Sequence, residues 1–314
     1  MRKRGEPARV VPPVPSRDGT IGIVAPASNF EEARLIKGCR VLNKAGHKTF
    51  YFDSILEKEL YFAGGHARRA RELEDMFRRR DIEAILCARG GYGSNHLLPL
   101  LDMGIIRSHP KMFIGYSDIT SLLTYFCDQA DMVTYHGPMV VTDYAEVALT
   151  KINHEMRKLS RFENQLGELD FKQSRSKQPG PGSAEGVLYG GCLSMLAASL
   201  GTPYEIQTEN TILFIEDINA KPYQIDRMLM QLKQAGKFKA VRGFIFGEMV
   251  GCIQPNGQDY SLGDVILSVL GELKVPIAFG LRSGHVSKPW NVTLPIGAAI
   301  SLEVAEAQAT LKGL

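Results

Sequence analysis

One serine sits where chain geometry could make it reactive. The segment Met112-Phe-Ile-Gly115-Tyr-Ser117-Asp-Ile-Thr120 reads as strand, sharp turn, helix. Such a turn pushes a hydroxyl out of a sheet and sets it at a helix N-terminus, where free backbone N–H groups and the helix dipole favour a developing oxyanion. Gly115, two positions earlier, permits close backbone approach. The match to G-x-S-x-G is partial, because Ile119 takes the place of the second glycine. The structural alternative is that Ser117 or Asp118 caps the following helix.

A glycine-rich loop, Arg89-Gly-Gly-Tyr-Gly93, follows the apolar run Ala84–Ala88. Backbone N–H groups in such a loop approach a ligand closely. The loop lacks the Walker A lysine and the Rossmann spacing. It could supply an oxyanion donor, or it could be only a tight turn.

A serine nucleophile needs a base, and the base needs a carboxylate to hold its tautomer. His136, in Tyr-His136-Gly-Pro, and His285, in Arg282-Ser-Gly-His285, both lie just past expected strands, where α/β proteins place chemistry. His47, His66, His96, His109 and His154 read as surface residues. Glu216 and Asp217 end the apolar run Thr211–Ile215, and an acidic pair there is costly to bury without partners. Arg227 could satisfy either acid.

Elements that could position these groups alternate along the chain. Ile21–Ala25, Thr49–Phe52, Ala84–Ala88 and Met112–Gly115 read as strands; Glu31–Lys44, Ala67–Arg80 and Ile119–Gln129 as helices. A second series has strands at Thr211–Ile215, Val241–Phe246, Pro276–Phe279 and Ile300–Val304, and helices near Ser194–Leu200, Tyr223–Gln234 and Leu262–Glu272. Alternation of this kind predicts parallel sheets wrapped by helices. The expected organisation is a flexible tail over 1–18, a first α/β domain over 19–150, a linker over 151–185 ending in a Ser/Lys/Pro/Gly run, and a second α/β domain over 186–314.

Bulk composition excludes several classes. The chain has 314 residues, 37 basic and 34 acidic side chains and a net charge of +3. That balance gives no footprint for nucleic acid and no reason to expect a membrane surface. No apolar run could span a bilayer, and Pro12, Pro13 and Pro15 occupy the place of a signal sequence's apolar region, so a cytoplasmic location is expected. Five cysteines without metal-ligand spacing predict buried free thiols. No metal and no cofactor are expected.

Taken together, Arg89-Gly-Gly-Tyr-Gly93, Gly115-Tyr-Ser117-Asp118, His136-Gly-Pro138, Phe214-Ile-Glu216-Asp217, Pro222-Tyr-Gln-Ile-Asp226-Arg227 and Gly284-His285 resemble the motifs of the LD-carboxypeptidases, from about Ile21 to Gly297. The resemblance implies a flavodoxin-like parallel-sheet domain followed by a swivelling α/β domain, with a site that draws on both. It implies a serine peptidase with Ser117 as nucleophile, His285 as general base and Glu216 as its orienter, and an oxyanion hole from the backbone N–H groups of Gly91 and Asp118. The implied substrate is a murein tetrapeptide losing its terminal D-Ala, and homodimers are common in the family. On that view His136 is structural, and Asp217, Asp226 and Arg227 shape the loop after the strand. Arg89 and Arg282 are the nearby cations that could take a terminal carboxylate. Ala63-Gly-Gly-His66 departs from the family's usual Gly-Thr-Asp segment, which touches substrate-rim contacts. Two other readings remain open. One is a microcin-C-type self-immunity peptidase acting on aminoacyl-nucleotide conjugates, with Trp290 as a platform for the base. The other is a non-catalytic binder of cell-wall peptides.

Overall fold

A computed structural model describes residues 9–147, 168–172 (backbone only), 182–253, 259–287 and 291–314. The chain divides into two compact units. One is Arg9–Asn164 with Val292–Pro295, and the other takes in Gln165–Asn291 and Ile296–Leu314.

In the first unit the order is β1 (Thr20–Val24), α1 (Glu32–Lys44), β2 (Lys48–Phe50), α2 (His66–Arg78), β3 (Ile82–Cys87), α3 (Met103–Ser108), β4 (Met112–Gly115), α4 (Thr120–Gln129) and β5 (Thr134–His136). The strands run 2-1-3-4-5 across a parallel sheet, the flavodoxin order, and strand Leu294–Ile296 adds to the β5 edge. Central strands β1, β3 and β4 are buried almost throughout, which is why they read as continuous apolar runs. Their outer faces are closed by helices; Phe77 of α2, Phe113 of β4 and Phe126 of α4 pack ring to ring at 5.0–6.2 Å. α2 ends where Lys111 donates its ammonium to the carbonyls of Met76 and Arg79. That contact neutralises the negative end of the helix, and burial brings the lysine down to about 8.

The second unit contains β6 (Glu168–Lys172), β7 (Gly182–Cys192), α5 (Leu193–Ala198), β8 (Thr211–Glu216), α6 (Pro222–Gln234), β9 (Gly243–Gly247), α7 (Leu262–Leu270), β10 (Ile277–Leu281), β12 (Ala299–Val304) and β13 (Gln308–Gly313); the strand Leu294–Ile296 is β11 in chain order. Its sheet order is β10-β9-β8-β7-β12-β13-β6. The first four strands are parallel and the last three join by antiparallel pairing. β6 also approaches β10, so the sheet curls toward closure.

Three expectations about organisation need correction. The second half of the expected tail is attached: Arg9 donates to the Cys127 carbonyl and pairs with Asp128, and Val10 bridges Met132. Residues 1–8 lie outside the described ones. The expected linker over 151–185 contributes β6 and the start of β7, because extended residues there find free sheet edges to pair with; 148–167 and 173–181 lie outside the described residues. The last part of the chain is not confined to the second unit, since 292–295 complete the first. Among the described residues no helix is long and apolar enough to cross a membrane.

Candidate active site

The candidate serine of the first unit lies at the C-terminal ends of its parallel strands. β4 ends at Gly115, Tyr116 is extended, and Ser117 then takes φ +63° before a short 3-10 turn leads into α4. Left-handed backbone at a non-glycine residue costs about 1–2 kcal/mol, so something must hold it. Ile119 is fully buried against Gly115: a Cβ on Gly115 would lie 2.8 Å from the isoleucine side chain. The residue that breaks the G-x-S-x-G pattern therefore packs the inside of the turn. Gly90 closes the other side, where an added Cβ would lie 2.9 Å from that of Ser117.

No side chain caps the helix here. The Asp118 carboxylate instead accepts from the backbone N–H of Ser94 (2.8 Å), while the Ser94 hydroxyl donates to the Asp118 carbonyl (2.6 Å). The capping alternative for Ser117 and Asp118 is removed, and the glycine loop is tied to the serine turn.

Burial holds the Asp118 carboxyl above its ordinary value, partly offset by its hydrogen bonds to Ser94. The folded protein then keeps a proton that the unfolded chain has already released. The stability this group contributes is full below the ordinary aspartate range and is lost as pH rises through the raised value. Melting of wild type and Asp118→Asn from pH 4 to 7 should show the variant gaining relative to wild type as pH rises. A difference independent of pH would remove this assignment.

Arg69 was missed in the sequence. It is buried on α2 and donates to the carbonyls of Pro26, Gly64 and Gly93, pinning three loops at this edge of the sheet. The signal was present: with Ala70, Leu73, Met76 and Phe77 it lies on the buried stripe of the helix, where an arginine is out of place. His136 is fully buried at the end of β5, 6.0 Å from the Tyr116 ring. His47, expected at the surface, is buried, and desolvation lowers its pKa.

The second unit brings together a second set of groups. Glu216 is the last residue of β8 and is wholly buried. Its Oε2 accepts from His285 Nδ1 at 2.7 Å and from the His285 backbone N–H at 3.0 Å. A carboxylate on Nδ1–H leaves Nε2 with its lone pair, the tautomer a general base needs. Asp217 turns away: it accepts from the backbone N–H groups of Ser194 (2.9 Å) and Ile218 (2.8 Å). Among the described residues Arg227 pairs with neither acid and lies over the Tyr223 ring, so its expected pairing is corrected. Arg282 pairs with Glu248 and donates to the Ser287 carbonyl, and Glu248 accepts from Ser287, so the pair braces the loop carrying His285. All five cysteines are free and buried, as expected, and burial pushes Cys39 and Cys252 up to about 11.

Residues 21–137, which include the glycine loop and Ser117, match the LD-carboxypeptidase N-terminal domain, and residues 185–302, which include Glu216 and His285, match the LD-carboxypeptidase C-terminal domain. The chain belongs to the LD-carboxypeptidase family. It is 36% identical over 302 residues to a probable murein peptide carboxypeptidase of Bacillus subtilis, covering 95% of this chain and 92% of that protein. A solved muramoyltetrapeptide carboxypeptidase from Oxalobacter formigenes superposes with a TM-score of 0.82 at 26% identity, over 93% of this chain and 97% of that one. The microcin C7 self-immunity protein of Escherichia coli is 27% identical, covering 89% and 88%.

In this family member the Glu216–His285 pair depends on one glycine. Gly284 has φ +87°, and an added Cβ would meet the Glu216 carboxyl at 2.6 Å. Gly284→Ala must either move the carboxylate or unwind the loop. Expected outcomes are a loss of about 1–3 kcal/mol in stability and a fall in turnover, checked by denaturant unfolding and peptide hydrolysis. Wild-type values for both would mean the loop relaxes freely.

Proposed function

We propose that this protein is a serine LD-carboxypeptidase that removes the terminal D-Ala from murein tetrapeptides in peptidoglycan recycling. The observation that carries the reading is the Glu216–Nδ1 contact of His285, because it holds the imidazole in the tautomer of a base. Ser117 Oγ attacks the carbonyl before the terminal D-residue while His285 Nε2 takes its proton. The oxyanion is received by the backbone N–H groups of Asp118 and Gly91, worth roughly 3–4 kcal/mol per donor in other hydrolases. His285 then protonates the leaving amine, and water resolves the acyl-enzyme with the same base. The reading also takes the enzyme to be a cytoplasmic homodimer.

Recognition of a free carboxylate falls to Arg89 or Arg282. A guanidinium suits this as a planar fork. Arg282 already faces Glu248, whereas Arg89 has no acidic partner among the described residues and donates only to the Asn29 carbonyl. Arg89→Ala should therefore raise KM at least tenfold, the scale of a charge-assisted hydrogen bond, with a smaller change in kcat. An unchanged KM would exclude Arg89.

The deciding experiment is release of D-Ala from L-Ala-γ-D-Glu-meso-diaminopimelyl-D-Ala by wild type and Ser117→Ala. An aminoacyl-nucleotide conjugate hydrolysed in place of the tetrapeptide would replace this substrate and keep the nucleophile. Trp290, the platform considered for a base, lies outside the described residues.

A further inference from the structure

The loop that carries His285 is shaped by side chains rather than by a regular element. Just after β10, Ser283 N–H donates to the Leu281 carbonyl at 2.9 Å. Gly284 N–H donates to Asn291 Oδ1 at 2.9 Å, and His285 N–H to Glu216 Oε2 at 3.0 Å. Ser287 donates its N–H and its hydroxyl to Glu248 Oε2, at 2.6 and 2.9 Å. Side-chain acceptors thus take the place that a helix or sheet would fill for these amides. Glu216 also holds the imidazole, and Glu248 faces Arg282 at the outer end of the loop. Asn291 is the neutral member of the three, and it is only 5% exposed.

Its place in the loop gives it leverage. Gly284 has φ +87°, and a glycine exchanges such backbone for others at little cost. The residue itself therefore selects no conformation. The selection falls to the amides on either side of its Cα, one held by Asn291 and the other by Glu216. The Glu216 side has no room to adjust. An added Cβ on Gly284 would stand 2.6 Å from its carboxyl, and one on Gly247 2.8 Å from its Cβ. Loss of the Asn291 contact frees the Gly284 peptide to rotate, and His285 is the next residue. The partner also fixes which way the asparagine amide faces. An N–H donor requires Oδ1, which leaves Nδ2 buried and without a hydrogen bond among the described residues. A half-satisfied polar group in an interior is costly. An apolar side chain could fill the same space without that cost, so what asparagine adds here is its acceptor.

We propose that Asn291 is a positioning residue for the general base: its side-chain oxygen fixes the Gly284 peptide, and through it the geometry in which His285 Nδ1 meets Glu216. It acts through His285 rather than on the substrate. This rests on the reading of His285 as the base of a serine carboxypeptidase.

The test uses Asn291→Leu, which keeps the branching and removes the acceptor, and Asn291→Asp, whose carboxyl keeps an acceptor oxygen in either protonation state. Asn291→Ala replaces the leucine variant should that fail to fold, as judged by thermal melting. One readout is kcat and KM for D-Ala release from the tetrapeptide. The other is the downfield proton NMR line of an imidazole N–H bonded to a carboxylate, assigned by its absence from His285→Gln. Without the acceptor, kcat should fall about ten- to hundredfold, the scale of a catalytic group displaced by about 1 Å. KM should change little, and the line should broaden or vanish. The aspartate variant should keep the line and recover most of kcat. In wild type the Gly284 amide should exchange slowly with solvent. Rapid exchange there, or a variant without the acceptor that keeps the wild-type line and kcat, overturns the proposal. A raised KM at unchanged kcat overturns it in favour of a substrate contact. Equal losses in the leucine and aspartate variants overturn it in favour of the Nδ2 donor. No D-Ala release by wild type, with the line kept by aspartate and lost without the acceptor, would instead overturn the carboxypeptidase reading and leave the positioning role standing.

Discussion

Ser117→Ala is expected to lower kcat for D-Ala release by about 10⁶, the scale found when a hydrolase loses its serine. The reason is local. The hydroxyl sits at φ +63°, wedged between Gly90 and the Ile119 packing, and no capping hydrogen bond accounts for it. Alanine fits the same backbone and removes only Oγ, so the turn and α4 should survive. Thermal melting within about 0.5 kcal/mol of wild type, as for a substitution away from core features, would separate lost chemistry from lost folding. Equal D-Ala release from both proteins would reduce Ser117 to a turn residue and end the mechanism.

Glu216→Gln should reduce kcat at neutral pH by about 10⁴, the scale of a carboxylate-to-amide change in a serine triad. Glu216 Oε2 accepts two N–H groups from His285, one from the ring and one from the backbone. An amide offers one oxygen and one NH₂. If NH₂ faces the ring, Nδ1 becomes the acceptor and the proton moves to Nε2, where it blocks the base. If oxygen faces the ring, the tautomer survives but the charge that stabilises the imidazolium is gone. Either way turnover falls, and the orientation with NH₂ toward His285 also removes the acceptor of its backbone N–H, at a cost of about 1–3 kcal/mol. Activity within tenfold of wild type would mean that the pair is only a structural bond between β8 and the His285 loop.

Much of this arrangement is written in local sequence. β1, β3, β4 and β8 are buried strands, so their apolar runs stand out, and each element was placed within a few residues. The candidate reactive groups lie where strands stop, and turn residues mark those places. Less visible were elements whose identity depends on a distant partner. β6, β11 and β13 are short or polar, and they are strands only because β12, β13 and β5 offer free edges. Arg9 and Val10 look like tail until the Cys127 carbonyl and Asp131 are there to receive them.

Sequence alone determined the family, the alternation of the two α/β units and which serine, glutamate and histidine stand at strand ends, because covalent order and hydrophobic period are enough for these. Tertiary structure decided how each group is used. It set Glu216 against His285 and Asp217 against Ser194, although the two acids are neighbours in the chain, because successive residues at a strand end point to opposite sides. It turned Arg69 inward to three carbonyls and gathered Tyr61 and Tyr92 from separate loops onto one rim. Long-range neighbours of this kind have no period and no spacing, so only the folded chain can specify them.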